Sequence, residues 1–289
     1  MPLKRLHWIT SEKFAEGYPH ETEVFAGLRA RGIEVLPTVW NRDPVPRPGP
    51  DERVIVRTPW DYLEDFARFN AWLDALPAER VENPVAVLRW NSKKDYLREL
   101  EAAGVRIVPT VWMEASSDAE VAKSFANAFA GRARIVKPVL SASAKDTYRL
   151  APGELPPAGV FLDRPAMIQP FLPEIESDGE RSLVYFSGRF SHGIRKVPKA
   201  GDFRVQESHG GIMREFSVSD GERVFGDSVL AAMRARFPEF RAPLYARVDY
   251  VLSAGKPQLM ELELLEPDLY FHHAPGSAER FVEALLALS

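Results

Sequence analysis

The chain contains no cysteine, which excludes disulfides, thiolate metal sites and cysteine nucleophiles together. It has no apolar run of about eighteen residues, the length a membrane-spanning helix needs. It also lacks a strong charge of one sign. A net charge of −4 over 289 residues gives no electrostatic reason to bind nucleic acid or an anionic membrane surface. The segment Met1–Thr10 carries basic residues without a sustained apolar stretch or a small-residue cleavage site, so it reads as a first strand and not as a signal peptide. A cytoplasmic location is the expectation. No internal repeat or low-complexity tract is present. The remaining composition, 45% apolar and 27% charged, is that of a globular chain with ample core. Its length suits one large domain or two to three small ones.

What is present centres on two apolar stretches, Tyr245–Ser253 and Gln258–Leu265, joined by a Ser-Ala-Gly-Lys-Pro turn. This predicts a β-hairpin. Side chains alternate faces along a strand, so Glu261 and Glu263 share a face, and pairing can bring Asp249 beside them. Three carboxylates on one face repel each other unless a cation lies between them. An all-oxygen donor set suits magnesium, which bridges to substrate phosphates. The alternative is a solvated face with scattered acids.

Elsewhere, strands and helices alternate over residues 3–90. Leu6–Ile9, Ile33–Trp40 and Val54–Arg57 read as strands, and Glu23–Ala30 and Asp65–Leu76 as helices. This predicts an α/β layer with parallel strands. Ligands bind beyond the carboxyl ends of such strands, which makes Arg57-Thr-Pro-Trp-Asp-Tyr62 a candidate substrate rim, with Arg57 and Asp61 its charged members; a capping Asp61 with a packed Trp60 is the plainer option. Trp90–Leu100 is predicted as one helix with Asn91 as its cap. Val105–Trp112 reads as a strand and Asp118–Phe129 as an amphipathic helix. Arg134–Leu140 is a strand interrupted by Lys137, which either snorkels from an edge or reaches a phosphate. The small residues of Ser141–Asp146 would let backbone amides approach a polyanion, although the loop has no glycine. Arg181–Phe186, Arg189–Lys196 and Phe203–Gln206 read as strands, and Gly221–Arg236 and Ala278–Leu288 as helices. His272 and His273 would point apart on a strand, which argues against a metal pair.

The order of these pieces is more specific than any one. Trp90-Asn-Ser-Lys-Lys-Asp-Tyr-Leu97 is followed by Val136-Lys-Pro138, Gln169-Pro-Phe-Leu172, Gly179-Glu180, Ser191-His-Gly-Ile-Arg-Lys196, Gly201-Asp-Phe-Arg204 and Glu261-Leu-Glu-Leu-Leu-Glu-Pro267. Over roughly residues 80–273 this resembles the ATP-grasp superfamily, in its glutathione-synthetase-like branch. The resemblance implies an α/β (α+β) architecture: a small N-terminal domain over residues 1–90, a central lid over 91–168 and a catalytic part over 169–289. It implies ATP held by Lys94, Lys137, Ser141, Ser143, Gln169, Phe171, Leu172, Glu180 and Lys196. Asp249, Glu261 and Glu263 would hold magnesium, with two ions expected and manganese able to substitute. Lys196 and Arg204 would offset charge during phosphoryl transfer, and Arg57, Asp61 and Glu266 would contact substrate. A third carboxylate at Glu263, where many relatives carry asparagine, reads as a feature of the branch.

The activity so implied is ATP-dependent joining of a small-molecule carboxylate to an amine through an acyl phosphate, with ring closure as a variant. A kinase of the same fold, or a nucleotide-binding module without turnover, are the rivals. Relatives are often dimers or tetramers, which leaves a homo-oligomer open.

Overall fold

The computed structural model describes residues 2–142, 144–199, 201–205, 207 and 210–288. Its strands form three sheets. The first contains β1 (Arg5–Thr10), β2 (Glu34–Val39), β3 (Glu52–Thr58) and β4 (Val81–Glu82) in the order β2-β1-β3-β4, with every pair parallel. The alternating pattern of the sequence specifies this layer, with α1 (Thr22–Ala30) and α2 (Phe66–Asp74) as connections. Pro37 interrupts β2, but β2 is an edge strand, where a residue without an N–H is tolerated. The last helix, α8 (Ser277–Leu286), returns to this layer. Its Phe281, Val282 and Leu285 share one core with Leu6, Trp8, Val24 and Leu28, and with Val184 and Phe186.

Two short helices follow where one was predicted, α3 (Val85–Asn91) and α4 (Tyr96–Ala102). Asn91 ends the first and does not cap a helix. Its side chain donates to Leu262 O at 2.6 Å and accepts from Leu264 N at 2.6 Å. The break between the helices leaves Lys94 N free to donate to Val139 O at 2.9 Å.

The second sheet contains β5 (Val111–Met113), β6 (Arg134–Pro138), β7 (Tyr148–Leu150) and β8 (Ala166–Pro170), antiparallel in the order β5-β8-β6-β7. With α5 (Asp118–Asn127) it encloses a separate core of Met113, Val121, Phe125, Val136, Phe161 and Ile168. The strand predicted over Val105–Trp112 is mostly absent because the chain changes sheet there. Ile107 bridges to Leu259, whereas Val111–Met113 pairs with β8. A division after residue 168 falls inside β8, which pairs with β6 along its whole length; the change of sheet comes after Pro170.

The third sheet runs β11-β10-β9-β12-β13, made of β9 (Glu180–Phe186), β10 (Arg189–Val197), β11 (Ile212–Glu215), β12 (Tyr245–Ser253) and β13 (Lys256–Glu263). The short α6 (Glu174–Ser177) precedes it. α7 (Asp220–Arg236) covers one face and starts with a reciprocal cap between Ser219 and Glu222. A Cβ at Gly226 would lie 2.2 Å from Tyr185 Oη, so this helix sits closer to the sheet than any larger residue allows. Of the strand predicted over Phe203–Gln206, the described residues 203–205 form none. The Asp202 carboxylate accepts from the amides of Phe203 and Arg204 at 2.8 and 2.9 Å, which competes with a strand ladder. Gln206 lies outside the described residues. Among the described residues, no helix is long and apolar enough to cross a membrane.

Candidate active site

The β12–β13 hairpin forms with Arg247 opposite Glu263 and Asp249 opposite Glu261. Residues two apart share a face, so these four side chains make one polar patch on an otherwise buried sheet. Three cations reach the patch from elsewhere. Lys137 in β6 lies 2.8 Å from Glu261 Oε1, and Lys94 lies 3.6 Å from Glu261 Oε2 while donating to Ser141 O. Lys196 in β10 lies 3.3 Å from Asp249 Oδ2 and also pairs with Glu180, its partner across the β9–β10 ladder. Gly179 makes that pairing possible. Its φ is +80°, and a Cβ there would lie 2.5 Å from Lys196 O. Lys137 is in an interior strand and is buried, so it does not snorkel from an edge.

A cleft of about 510 Å³ opens over this patch. Its lining brings together Lys94, Lys137, Ser141, Gln169, Leu172 and Glu180 with Lys196, Arg204, Asp249, Glu261, Glu263 and Glu266. All three sheets or their connections contribute. Burial opposes ionisation of Asp249 and Glu261, yet adjacent cations overcome it: Arg247 and Lys196 hold Asp249 low, and Lys137 and Lys94 hold Glu261 low. Glu263 goes the other way. Burial, with Asp249, Glu261 and Glu266 nearby, outweighs Arg247 and pushes it up to about 8. Glu263 therefore keeps its proton near neutral pH while Asp249 and Glu261 are ionised.

The chain is 30% identical over 245 residues to the cycloserine biosynthesis protein DcsG of Streptomyces lavendulae, a match covering 81% of this chain and 82% of that protein. The chain belongs to the ATP-grasp ligases, in the branch of D-cycloserine synthetase. The model of the DcsG N-terminal domain family matches residues 6–83, the span of the first sheet. The crystal structure of D-cycloserine synthetase DcsG superposes with a TM-score of 0.83 at 26% identity, covering 98% of this chain and 99% of that one. The ATP-grasp ligase PsnB, solved with a minimal precursor, Mg and ADP, shares the fold at a TM-score of 0.62 and 18% identity, with 99% and 98% covered. The chain is thus an ATP-dependent ligase of mixed α/β, ATP-grasp architecture.

Three of the residues predicted for the site of this ligase lie apart from the cleft. Arg57 is 1% exposed. It donates to Glu21 through Nε and Nη2 at 3.0 and 2.8 Å and to Pro267 O at 2.8 Å, and it lies 4.6 Å from the Tyr245 ring centroid. It ties the N-terminal layer to the end of the hairpin and does not form a substrate rim. Asp61 accepts from Trp40 Nε1 at 2.6 Å and from Asn41 Nδ2 at 3.2 Å, which makes it a loop anchor. Phe171 turns away from the cleft. Its amide donates to Ala133 O at 2.8 Å and its ring lies under Arg149. Of the adjacent Phe171 and Leu172 amides, that of Leu172 is the one without a backbone partner among the described residues. Ser143 lies outside the described residues. His192 is a buried core residue whose Nε2 lies 3.0 Å from Leu269 O, and its neighbour Arg195 pairs with Asp178.

Sequence reasoning missed Arg247, which holds Asp249 through Nε and Nη2 and also pairs with Glu263. The signal was present: Arg247 stands two residues before Asp249 on the same strand, so the alternation that groups Glu261 with Glu263 groups it with Asp249. Trp60 and Tyr62, from the strand end read as a substrate rim, line the cleft where Arg57 and Asp61 do not; Tyr270 lines it too, without any local pattern that marks it.

Proposed function

We propose that this ligase joins a carboxylate to an amine on a small amino-acid-like or peptide substrate, using ATP and magnesium and passing through an acyl phosphate. The observation that carries this reading is the convergence of Asp249, Glu261 and Glu263 with Lys94, Lys137 and Lys196 in one cleft. The donor set fits magnesium: all oxygen, on one face, with Glu263 pushed up to about 8 by burial and by neighbouring carboxylates, both of which a bound cation offsets. Asp249, Glu261 and Glu263 would hold the metal, which when bound neutralises phosphate charge.

The chain's own groups do the rest. Lys94 and Lys137, now paired with Glu261, exchange that carboxylate for phosphate oxygens as point charges. Glu180 accepts hydrogen bonds from ribose hydroxyls, and the Leu172 amide meets the adenine edge. Gln169, fixed by Thr110 Oγ1 at 2.9 Å, keeps the strand end in place beside it. Ser141 accompanies Lys94 at the phosphate loop. Lys196 and Arg204 offset charge as the phosphoryl group moves to the substrate carboxylate. Attack of the amine on the acyl carbon then forms the amide and releases phosphate. An amine on the same molecule closes a ring. Glu266, whose carboxyl is held up by burial, faces the substrate end of the cleft.

The test is ADP and phosphate release with magnesium-ATP against a panel of amino acids, their derivatives and small peptides. Equal release of both with one carboxylate–amine set is expected, and 18O from the substrate carboxylate should appear in the phosphate. ADP with a stable phosphorylated product, and no free phosphate, would contradict the ligation step.

A further inference from the structure

Away from the carboxylate patch, side chains of metal-ligating types converge from three segments. His20 comes from the 3₁₀ turn Pro19–Glu21, Glu207 from the connection between β10 and β11, and His272 from the 3₁₀ turn Phe271–His273. One ligand atom from each lies within 4.8 Å of the others. The His20 and His272 rings are 3.5 Å apart between centroids and tilted by 39°. His272 Nε2 lies 3.5 Å from Glu207 Oε1, and His273 Nε2 lies 2.8 Å from the same oxygen. Among the described residues, His20 Nδ1 is buried without a hydrogen-bond partner, a condition that a bound ion would relieve. The prediction that adjacent histidines point apart assumed a strand. In the 3₁₀ turn both rings reach one carboxylate.

The chemistry differs from that of the hairpin. Two imidazoles and a carboxylate suit a borderline ion of the zinc class, whereas magnesium takes oxygen ligands. Burial and the neighbouring histidines lower the proton affinity of His272, which favours the neutral, ligating form.

We propose that His20, Glu207 and His272 form a second metal site, for a zinc-class divalent ion, with His273 bonded to Glu207 as outer support. A water would complete a tetrahedral shell. Glu207 also lines the cleft, and Tyr18, two residues before His20, bonds Asp268 at 3.3 Å on the cleft wall. The ion would therefore fasten the β10–β11 connection to both ends of the chain at the rim of the active site. This site stands independently of the ligase reading.

The experiment uses the full chain, stripped with a chelator and titrated with Co²⁺ in excess Mg²⁺, which occupies the oxygen-ligand positions. One equivalent of Co²⁺ should give the intense visible absorption of a four-coordinate site, and Zn²⁺ should displace it. His272→Gln and His20→Ala should each weaken Co²⁺ binding at least about tenfold, while Glu261→Gln leaves the spectrum unchanged. Zn²⁺ should raise the melting temperature of the unaltered protein and not that of His272→Gln, a comparison that holds if His20→Ala fails to fold. Only the weak absorption of an octahedral oxygen site, or a strong band that survives His272→Gln, would overturn the proposal.

Discussion

Arg57 and Asp249 are both charged, both buried, and both held by an oppositely charged neighbour, yet their surroundings differ. Arg57 is enclosed by protein. Glu21 takes two of its donors as well as Trp8 Nε1, Pro267 O takes another, and the Tyr245 ring covers one face. Asp249 belongs to a patch with one open side. There burial and the neighbouring carboxylates push Glu263 up to about 8, and the cations that answer them come from β6, from the link between α3 and α4, and from β10 of the same sheet. Burial of charge alone therefore does not mark a functional site in this protein. A crowded carboxylate cluster facing a cleft does.

The largest effect expected from breaking this contrast is at the enclosed pair. Arg57→Met leaves Glu21 buried without its partner and should cost about 3–5 kcal/mol of stability, read by urea denaturation. Nucleotide affinity of the folded fraction should stay unchanged; a parallel loss of affinity would return Arg57 to the site. At the open patch the pattern reverses. Glu261→Gln should lower turnover by about a hundredfold to a thousandfold, the scale of losing one charge-stabilising group, while the melting curve barely moves.

His192 sharpens the enclosed class by pH. Burial lowers it to about 4 from 6.5. A folded value below the unfolded one means its contribution is complete above pH 6.5 and is lost as the pH falls through 4. The full loss is about 3 kcal/mol, with about 2 kcal/mol gone by pH 5. Between pH 7.5 and 5 the unaltered protein should therefore lose about 2 kcal/mol more stability than His192→Gln, the other titrating groups being common to both. The smallest effect belongs to Lys137→Met. It should weaken nucleotide binding about tenfold to a hundredfold, the worth of one charge-assisted contact, and an unchanged dissociation constant would remove the lysine from the phosphate site.

How much of this was legible in the sequence depends on how local each cause is. Strand alternation is a local property, so the face shared by Asp249, Glu261 and Glu263 could be read directly, and Arg247 obeys the same rule. The parallel N-terminal layer was legible for a similar reason, since its periodicities and turn residues lie within single segments. Arg57 and Asp61 were not legible, because Glu21, Trp40 and Pro267, which claim them, are far away in sequence. Phe171 and Leu172 are adjacent and similar in character, and only the bond to Ala133 O separates their roles. The histidines near the C-terminus were misread for want of one local fact, that Phe271–His273 is a 3₁₀ turn and not a strand.

The most direct test of the contrast is calorimetric titration of a non-hydrolysable ATP analogue, with and without magnesium, into the unaltered protein, Arg57→Met and Glu261→Gln. Magnesium should strengthen binding equally in the first two and give little or no gain in the third. An unchanged magnesium dependence in folded Glu261→Gln would contradict the assignment of the open carboxylate patch as the nucleotide–metal site.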